Sequence, residues 1–220
     1  MRARKKKHGA ERIAACAELL IEDTAKLKEA PDSFFAEKRP LHLEIGCGKG
    51  NFACGMAAKH PEINLIAMEV VADVIVTALE KATARKAERP DNLRFLIGNA
   101  EHLTEWFPPH SIDCLYLNFS DPWHKARHAK RRLTHRDFLA RYREVLKVGG
   151  MIRFKTDNVN LFDFSLEEFE AVGLRVENVT RDLHNSPQNE GNVMTEYEKN
   201  FSEKGFPICS AWVRFPAENA

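Results

Sequence analysis

Long apolar runs are missing from this 220-residue chain, because charge interrupts every one after a few residues. That excludes a membrane-spanning helix and the apolar stretch of a signal peptide, so a soluble, cytoplasmic protein with no membrane contact is expected. Cysteine is scarce and odd in number: the five, Cys16, Cys47, Cys54, Cys114 and Cys209, include no Cys-x-x-Cys pair. This argues against a disulfide framework and against a zinc site. The nine histidines are scattered without partners at ligand spacing, so no metal is expected. No internal repeat is present. Charge of one sign is also lacking, since 33 Lys and Arg against 32 Asp and Glu leave a net +1 and exclude a general polycation.

What is present is an uneven distribution of that charge. Residues 1–10 carry Arg2, Arg4, Lys5, Lys6 and Lys7 with no acid, and residues 124–136 carry Lys125, Arg127, Lys130, Arg131, Arg132 and Arg136 with none. Two basic patches on a near-neutral chain point to a polyanion met along one face. The plainer alternative is a solvated tail and a charged helix face. With 44% hydrophobic and 30% charged residues, the chain is expected to fold as one domain, 1–220, in which 1–35 form a basic arm and helix.

Short apolar runs alternate with amphipathic segments, which is the pattern of βα units and a mostly parallel sheet. Strands are predicted at Leu41–Cys47, Asn64–Val70, Leu93–Gly98, Ile112–Phe119 and Met151–Thr156, with two more at Arg175–Val179 and Ile208–Phe215. Helices are predicted near Gly50–Lys59, Ala72–Glu88, Thr134–Val145 and Leu161–Ala171. Pro90-Asp91-Asn92 and Val148-Gly149-Gly150 read as turns between helix and strand, and Asn185–Asn192 as a hydrophilic loop long enough to bind something. Open sheets of this kind bind ligands at the carboxyl ends of their strands.

The first strand runs into Glu44-Ile45-Gly46-Cys47-Gly48-Lys49-Gly50. Gly46, Gly48 and Gly50 let the backbone approach a ligand where a Cβ would obstruct it. The spacing is Gly-x-Gly-x-Gly, whereas a dinucleotide loop has Gly-x-Gly-x-x-Gly and places a pyrophosphate on the helix N-terminus. Glu44 would repel a diphosphate. It suits S-adenosylmethionine, which has an ammonium, a sulfonium and no phosphate. Glu69 ends the second strand, where an acid can accept from both ribose hydroxyls, and Asn99 follows the third, placed to read an adenine edge. For Glu69 alone, an exposed strand-end acid is the competing reading.

After the fourth strand comes Asn118-Phe119-Ser120-Asp121-Pro122-Trp123. Proline fixes the turn and biases Ser120 and Asp121 away from helix, giving the Asp121 side chain one direction. An ordinary polar turn is the competing reading. The basic segment Lys125 to Arg136 follows at once. These residues together, with Arg-His-Ala-Lys-Arg-Arg-Leu-Thr at 127–134, Phe154-Lys155-Thr156-Asp157-Asn158 and Thr195-Glu196-Tyr197-Glu198, resemble the tRNA (guanine-N7)-methyltransferases of the bacterial TrmB type. The resemblance covers nearly the whole chain, including the basic start Met1-Arg2-Ala3-Arg4.

The resemblance implies a class I, Rossmann-like α/β fold, seven-stranded and mostly parallel with a C-terminal antiparallel hairpin. It implies methyl transfer from S-adenosylmethionine to N7 of the variable-loop guanosine of tRNA, by a monomer or homodimer. Carried over by position, Glu44, Gly46, Gly48, Gly50, Glu69, Asn99 and Asp121 would bind the cofactor, with Asp121 also catalytic. Lys125, Asp157, Thr195, Glu196, Tyr197 and Glu198 would hold the substrate, and Arg127, His128, Ala129, Lys130, Arg131 and Arg132 would touch the RNA. Asn99 departs from the acid often found there. Guanine N7 already carries an in-plane lone pair, so Asp121 reads as a positioning and electrostatic residue and not as a base. Three alternatives stay open on the residues alone: a small-molecule methyltransferase, a nicotinamide-dependent oxidoreductase and a non-catalytic RNA-binding module.

Overall fold

The computed structural model describes residues 5–84 and 91–216, and within these the chain divides into two compact units, the first ending at Pro108 and the second starting at Pro109. The basic residues Arg2 and Arg4, the end of the predicted helix beyond Ala84, and Pro90 lie outside the described residues.

The first unit contains α1 (Gly9–Ala14), β1 (Leu20–Ile21), α2 (Thr24–Glu29), β2 (Leu41–Ile45), α3 (Asn51–Lys59), β3 (Asn64–Glu69), α4 (Ala72–Ala84), β4 (Leu93–Ile97) and α5 (Leu103–Trp106). Its strands lie in the order β1-β4-β3-β2 and every pairing is parallel. β3 is buried along its whole length, as a strand covered on both faces must be, which is why it reads as an unbroken apolar run. On α4 the buried residues Ile75, Val76, Ala78, Leu79 and Ala82 fall on one stripe at helical spacing. The turn before β4 has a specific anchor: the buried Asn92 side-chain amide donates to the carbonyls of Ala57, His60 and Ile63, closing the C-terminal end of α3.

The second unit contains β5 (Ile112–Asn118), α6 (Arg136–Val145), β6 (Leu146–Thr156), α7 (Val159–Ala171), β7 (Arg175–Thr180), α8 (Glu196–Ser202) and β8 (Cys209–Arg214). Here the order is β5-β6-β8-β7, with β5 and β6 parallel and β8 antiparallel to both its neighbours. The mostly parallel α/β architecture with its antiparallel C-terminal hairpin is as expected from the sequence.

Three expectations need correction. Eight strands lie among the described residues, not seven; the additional one is β1, whose two residues are too few to show a period. Residues 5–35 are more than an arm and helix, since Ile21 of β1 pairs with Leu96 and the Arg12 guanidinium pairs with Glu80 at 2.7 Å. Val148-Gly149-Gly150 is not a turn between elements. It lies within β6 as a bulge, because Ile112 registers with Leu146 but Cys114 with Met151.

Candidate active site

Glu44, the glycines, Glu69 and Asn99 belong to the first unit; Asp121 and the residues assigned to substrate and RNA belong to the second.

In the first unit, β2 delivers the glycine loop and β3 delivers the acid that holds it. The backbone N–H groups of Gly46 and Cys47 both donate to the carbonyl of Met68, folding the loop back over the end of β3. Glu69 is 9% exposed. Its Oε2 accepts from the Gly48 N–H and its Oε1 from the Val71 N–H, each at 3.0 Å, so one carboxylate fixes the loop and its own strand end. Gly46 and Gly48 have φ of +82° and +57°, and a Cβ on either would meet nothing within 4 Å. They leave open space beside the backbone. Gly50 serves a different purpose, since a Cβ there would lie 2.6 Å from the Ala78 side chain; its lack of one lets α4 pack against the loop. The Lys81 ammonium donates to the Lys49 carbonyl at 2.9 Å and also contacts the Asn51 side chain, steadying the start of α3.

Glu44 is 1% exposed. Burial pushes the neighbouring Cys47 thiol well above its ordinary value, and the charges of Glu44 and Glu69 push it the same way. That thiol stays neutral and is a poor nucleophile. Glu44 and Glu69 place two carboxylates at the loop, which suits a cationic ligand and disfavours a diphosphate. The open space at Gly46 and Gly48 and the two carboxylates thus fit S-adenosylmethionine. Asn99 follows β4 and caps a short turn: its Oδ1 accepts from the Glu101 N–H and its Nδ2 donates to the Glu101 carboxylate, both at 3.1 Å. Glu69→Ala is expected to lower cofactor affinity at least ~10-fold, because hydrogen bonds to charged groups contribute about 1.5–3 kcal/mol each and two backbone donors lose their acceptor. Isothermal titration with S-adenosylhomocysteine checks this, with Glu69→Gln expected to fall between the two.

In the second unit, the Phe119–Trp123 turn carries Asp121 on the surface between two residues in the left-handed region, Phe119 at φ +53° and Trp123 at +41°. Such conformations in non-glycine residues persist only where neighbours enforce them. Phe119 donates its N–H to the Lys155 carbonyl at 2.8 Å, and its ring packs 5.1 Å from that of Tyr197. Tyr197, 44% exposed, stacks on Phe201 at 4.2 Å, and its hydroxyl reaches Asp157 Oδ2 at 3.4 Å. Asp157 and Tyr197, assigned to substrate from separate motifs, therefore meet against the residue that opens the Asp121 turn.

Thr195 and Glu198 are used internally. They form a capping box at the start of α8, in which Thr195 Oγ1 accepts from the Glu198 N–H at 2.9 Å. The fully buried Glu198 carboxylate accepts from Lys155 at 2.6 Å, Asn192 at 2.7 Å and His184 at 2.9 Å. Burial raises its pKa, but the Lys155 charge and these hydrogen bonds outweigh that and hold it below the ordinary carboxylate value. Lys155, His184 and Asn192 were not assigned roles from the sequence. Lys155 carried a signal, a lysine inside the apolar strand Met151–Thr156, where an unpaired charge would be costly. Glu196 starts α8 and is half-buried.

The basic segment divides. Lys125, Arg127, Lys130 and Arg131 are exposed and form no ion pair among the described residues. His128 packs edge-on against Trp123 at 5.8 Å, and Ala129 lies in the same 3-10 turn, Ala126–Arg131. Arg136 pairs with Glu168 at 2.7 Å, and Arg132 turns inward. Among the described residues no group of three or more His, Cys, Asp or Glu is arranged to hold a metal, and no helix is long and apolar enough to cross a membrane.

The family model described as "Putative methyltransferase" matches residues 38–211. The tRNA (guanine-N(7)-)-methyltransferase of Limosilactobacillus reuteri is 49% identical over 215 residues, covering 98% of this chain and 100% of that one. The enzyme of the same name from Bacillus subtilis is 45% identical over 215 residues, covering 98% and 99%. Among solved structures, a 16S rRNA methyltransferase, KamB, superimposes with a TM-score of 0.65 at 12% identity, over 86% of this chain and 93% of that one. An antibiotic-related methyltransferase gives 0.61 at 17%, over 88% and 94%. The structural likeness establishes the fold, and the sequence identity across the full length establishes the family: this chain belongs to the bacterial tRNA (guanine-N7)-methyltransferases.

Proposed function

We propose that this protein methylates N7 of the variable-loop guanosine of tRNA, working in the cytoplasm as one catalytic domain, monomeric or homodimeric. The observation that carries this reading is the meeting of Asp157 and Tyr197 against the opening residue of the Asp121 turn, followed in the chain by four outward cations.

Glu44, Gly46, Gly48 and Glu69 hold the cofactor, with Asn99 at the adenine edge; Gly50 acts through packing on Ala78. When bound, S-adenosylmethionine supplies a methyl group on a sulfonium sulfur, which guanine N7 can accept with the lone pair it already carries. The protein has no proton to remove first, so alignment dominates; well-oriented partners gain about 7–11 kcal/mol from proximity. Asp157 accepts from the guanine N1 and N2 protons, which adenine does not offer in that pattern. Tyr197 offers the base a ring already stacked on Phe201. Glu198 and Thr195 set the position of that ring and do not themselves meet guanine. Asp121 places a negative charge where the purine becomes cationic.

Digesting tRNA after incubation with labelled cofactor is expected to yield 7-methylguanosine in the variable-loop fragment. Another product or another fragment would overturn this assignment. Lys125, Arg127, Lys130 and Arg131 are the phosphate contacts. Replacing Arg127 and Arg131 with Ala is expected to flatten the slope of log affinity against log salt by about 0.7–0.9 per lost contact, measured by filter binding.

A further inference from the structure

The arginines at 131 and 132 are adjacent in sequence and unlike in place. Arg131 is exposed, with its guanidinium 4.9 Å from the Trp123 ring. Arg132 is half-buried: its Nε donates to the Pro122 carbonyl at 2.9 Å and an Nη donates to the Trp123 carbonyl at 3.2 Å. The same guanidinium lies 4.2 Å over the ring of Phe164 on α7. Its planar fork is thus matched to two consecutive backbone carbonyls on one side and an aromatic face beneath, a fit that lysine cannot reproduce.

The carbonyls it holds are those of the two residues after Asp121, one of them the left-handed Trp123. On the other side of Asp121, left-handed Phe119 is held by the Lys155 carbonyl. The segment behind Arg132 is itself anchored to α7: Thr134 and Ser165 share a hydrogen bond at 2.7 Å, and Arg136 pairs with Glu168. The chain from Arg132 to Arg136 is therefore a rigid post from which one guanidinium reaches back to the catalytic turn.

We propose that Arg132 is a positioning residue for methyl transfer and not an RNA contact: it clamps the strained turn that aims Asp121. This rests on the function proposed above. Its test uses the full-length enzyme with tRNA and tritiated cofactor, comparing Arg132→Ala, Arg132→Lys and Arg131→Ala. Arg132→Ala is expected to lower kcat up to ~100-fold, the scale of loss from an ångström of misplacement, with KM for tRNA and the salt slope unchanged. Arg132→Lys, keeping the charge, is expected to lose most of the same rate. Arg131→Ala is expected to raise KM and flatten the salt slope. Hydrogen exchange of the amides of residues 119–124, without tRNA or cofactor, is expected to quicken in both Arg132 variants.

An Arg132→Ala enzyme with normal kcat and a flattened salt slope would make Arg132 a phosphate contact and overturn the proposal, as would a lost kcat with unchanged exchange at 119–124. If Arg132→Ala does not fold, Arg132→Lys is judged by the same two readouts. Absence of tRNA methylation by the unaltered enzyme would instead defeat the proposed function, and the exchange measurement would still decide whether the clamp exists.

Discussion

Asp121→Ala is expected to lower the single-turnover rate of methyl transfer by about 10²–10³-fold, the range seen when one preorganised electrostatic group is removed. The turn already carries two left-handed residues, Phe119 and Trp123, whose conformations are held by Lys155 and Arg132. Structure spent on fixing a single exposed carboxylate is structure spent on direction. Because the acceptor nitrogen needs no base, Asp121→Asn is the informative companion: it preserves shape but removes the charge. A rate near that of Asp121→Ala would assign the effect to charge, and a rate near the unaltered enzyme would assign it to placement. Turnover unchanged in both variants would remove Asp121 from the mechanism.

Lys155→Met is expected to destabilise the fold by about 3–5 kcal/mol, because it leaves the fully buried Glu198 without its charge partner. Calorimetric unfolding measures it. The pH dependence has a definite sign. In the unaltered chain the Glu198 pKa is lowered from the ordinary 4.5, so its contribution is present above that value and is lost as pH falls through the lowered one. In Lys155→Met burial dominates and the folded pKa rises. The deficit of the variant is therefore expected to be greatest near neutral pH and to shrink on acidification, as Glu198 takes up a proton. Adding Glu198→Leu is expected to recover part of the stability, but not all, since Asn192, His184 and the cap of α8 also depend on that carboxylate.

Sequence pattern sufficed for the longer strands because a buried parallel strand is an apolar run between turn residues, as at Asn64–Glu69. It failed at Leu20–Ile21, where two residues carry no period, and at Val148–Gly150, where glycines permit a bulge as readily as a turn. Placement was legible where residue type and strand end coincide, as for Glu69 at the end of β3. It was not legible where meaning depends on a distant partner. Gly50 looks like Gly46 and Gly48 until Ala78 is placed beside it. Arg132 looks like Arg131 until the carbonyls of Pro122 and Trp123 are in view. Glu198 reads as a substrate contact from the resemblance, and Lys155, His184 and Asn192, all distant in sequence or in a loop, show it to be interior.

β8 pairs with β6 on one side and β7 on the other, although both are earlier in the chain. A polypeptide emerging residue by residue from the ribosome must therefore keep a gap open between two strands already made. Until β8 arrives, β7 has no neighbour of its own, and the free edge of β6 is a template for pairing with another nascent chain. Loss or delay of this one segment would thus be felt first as aggregation during synthesis.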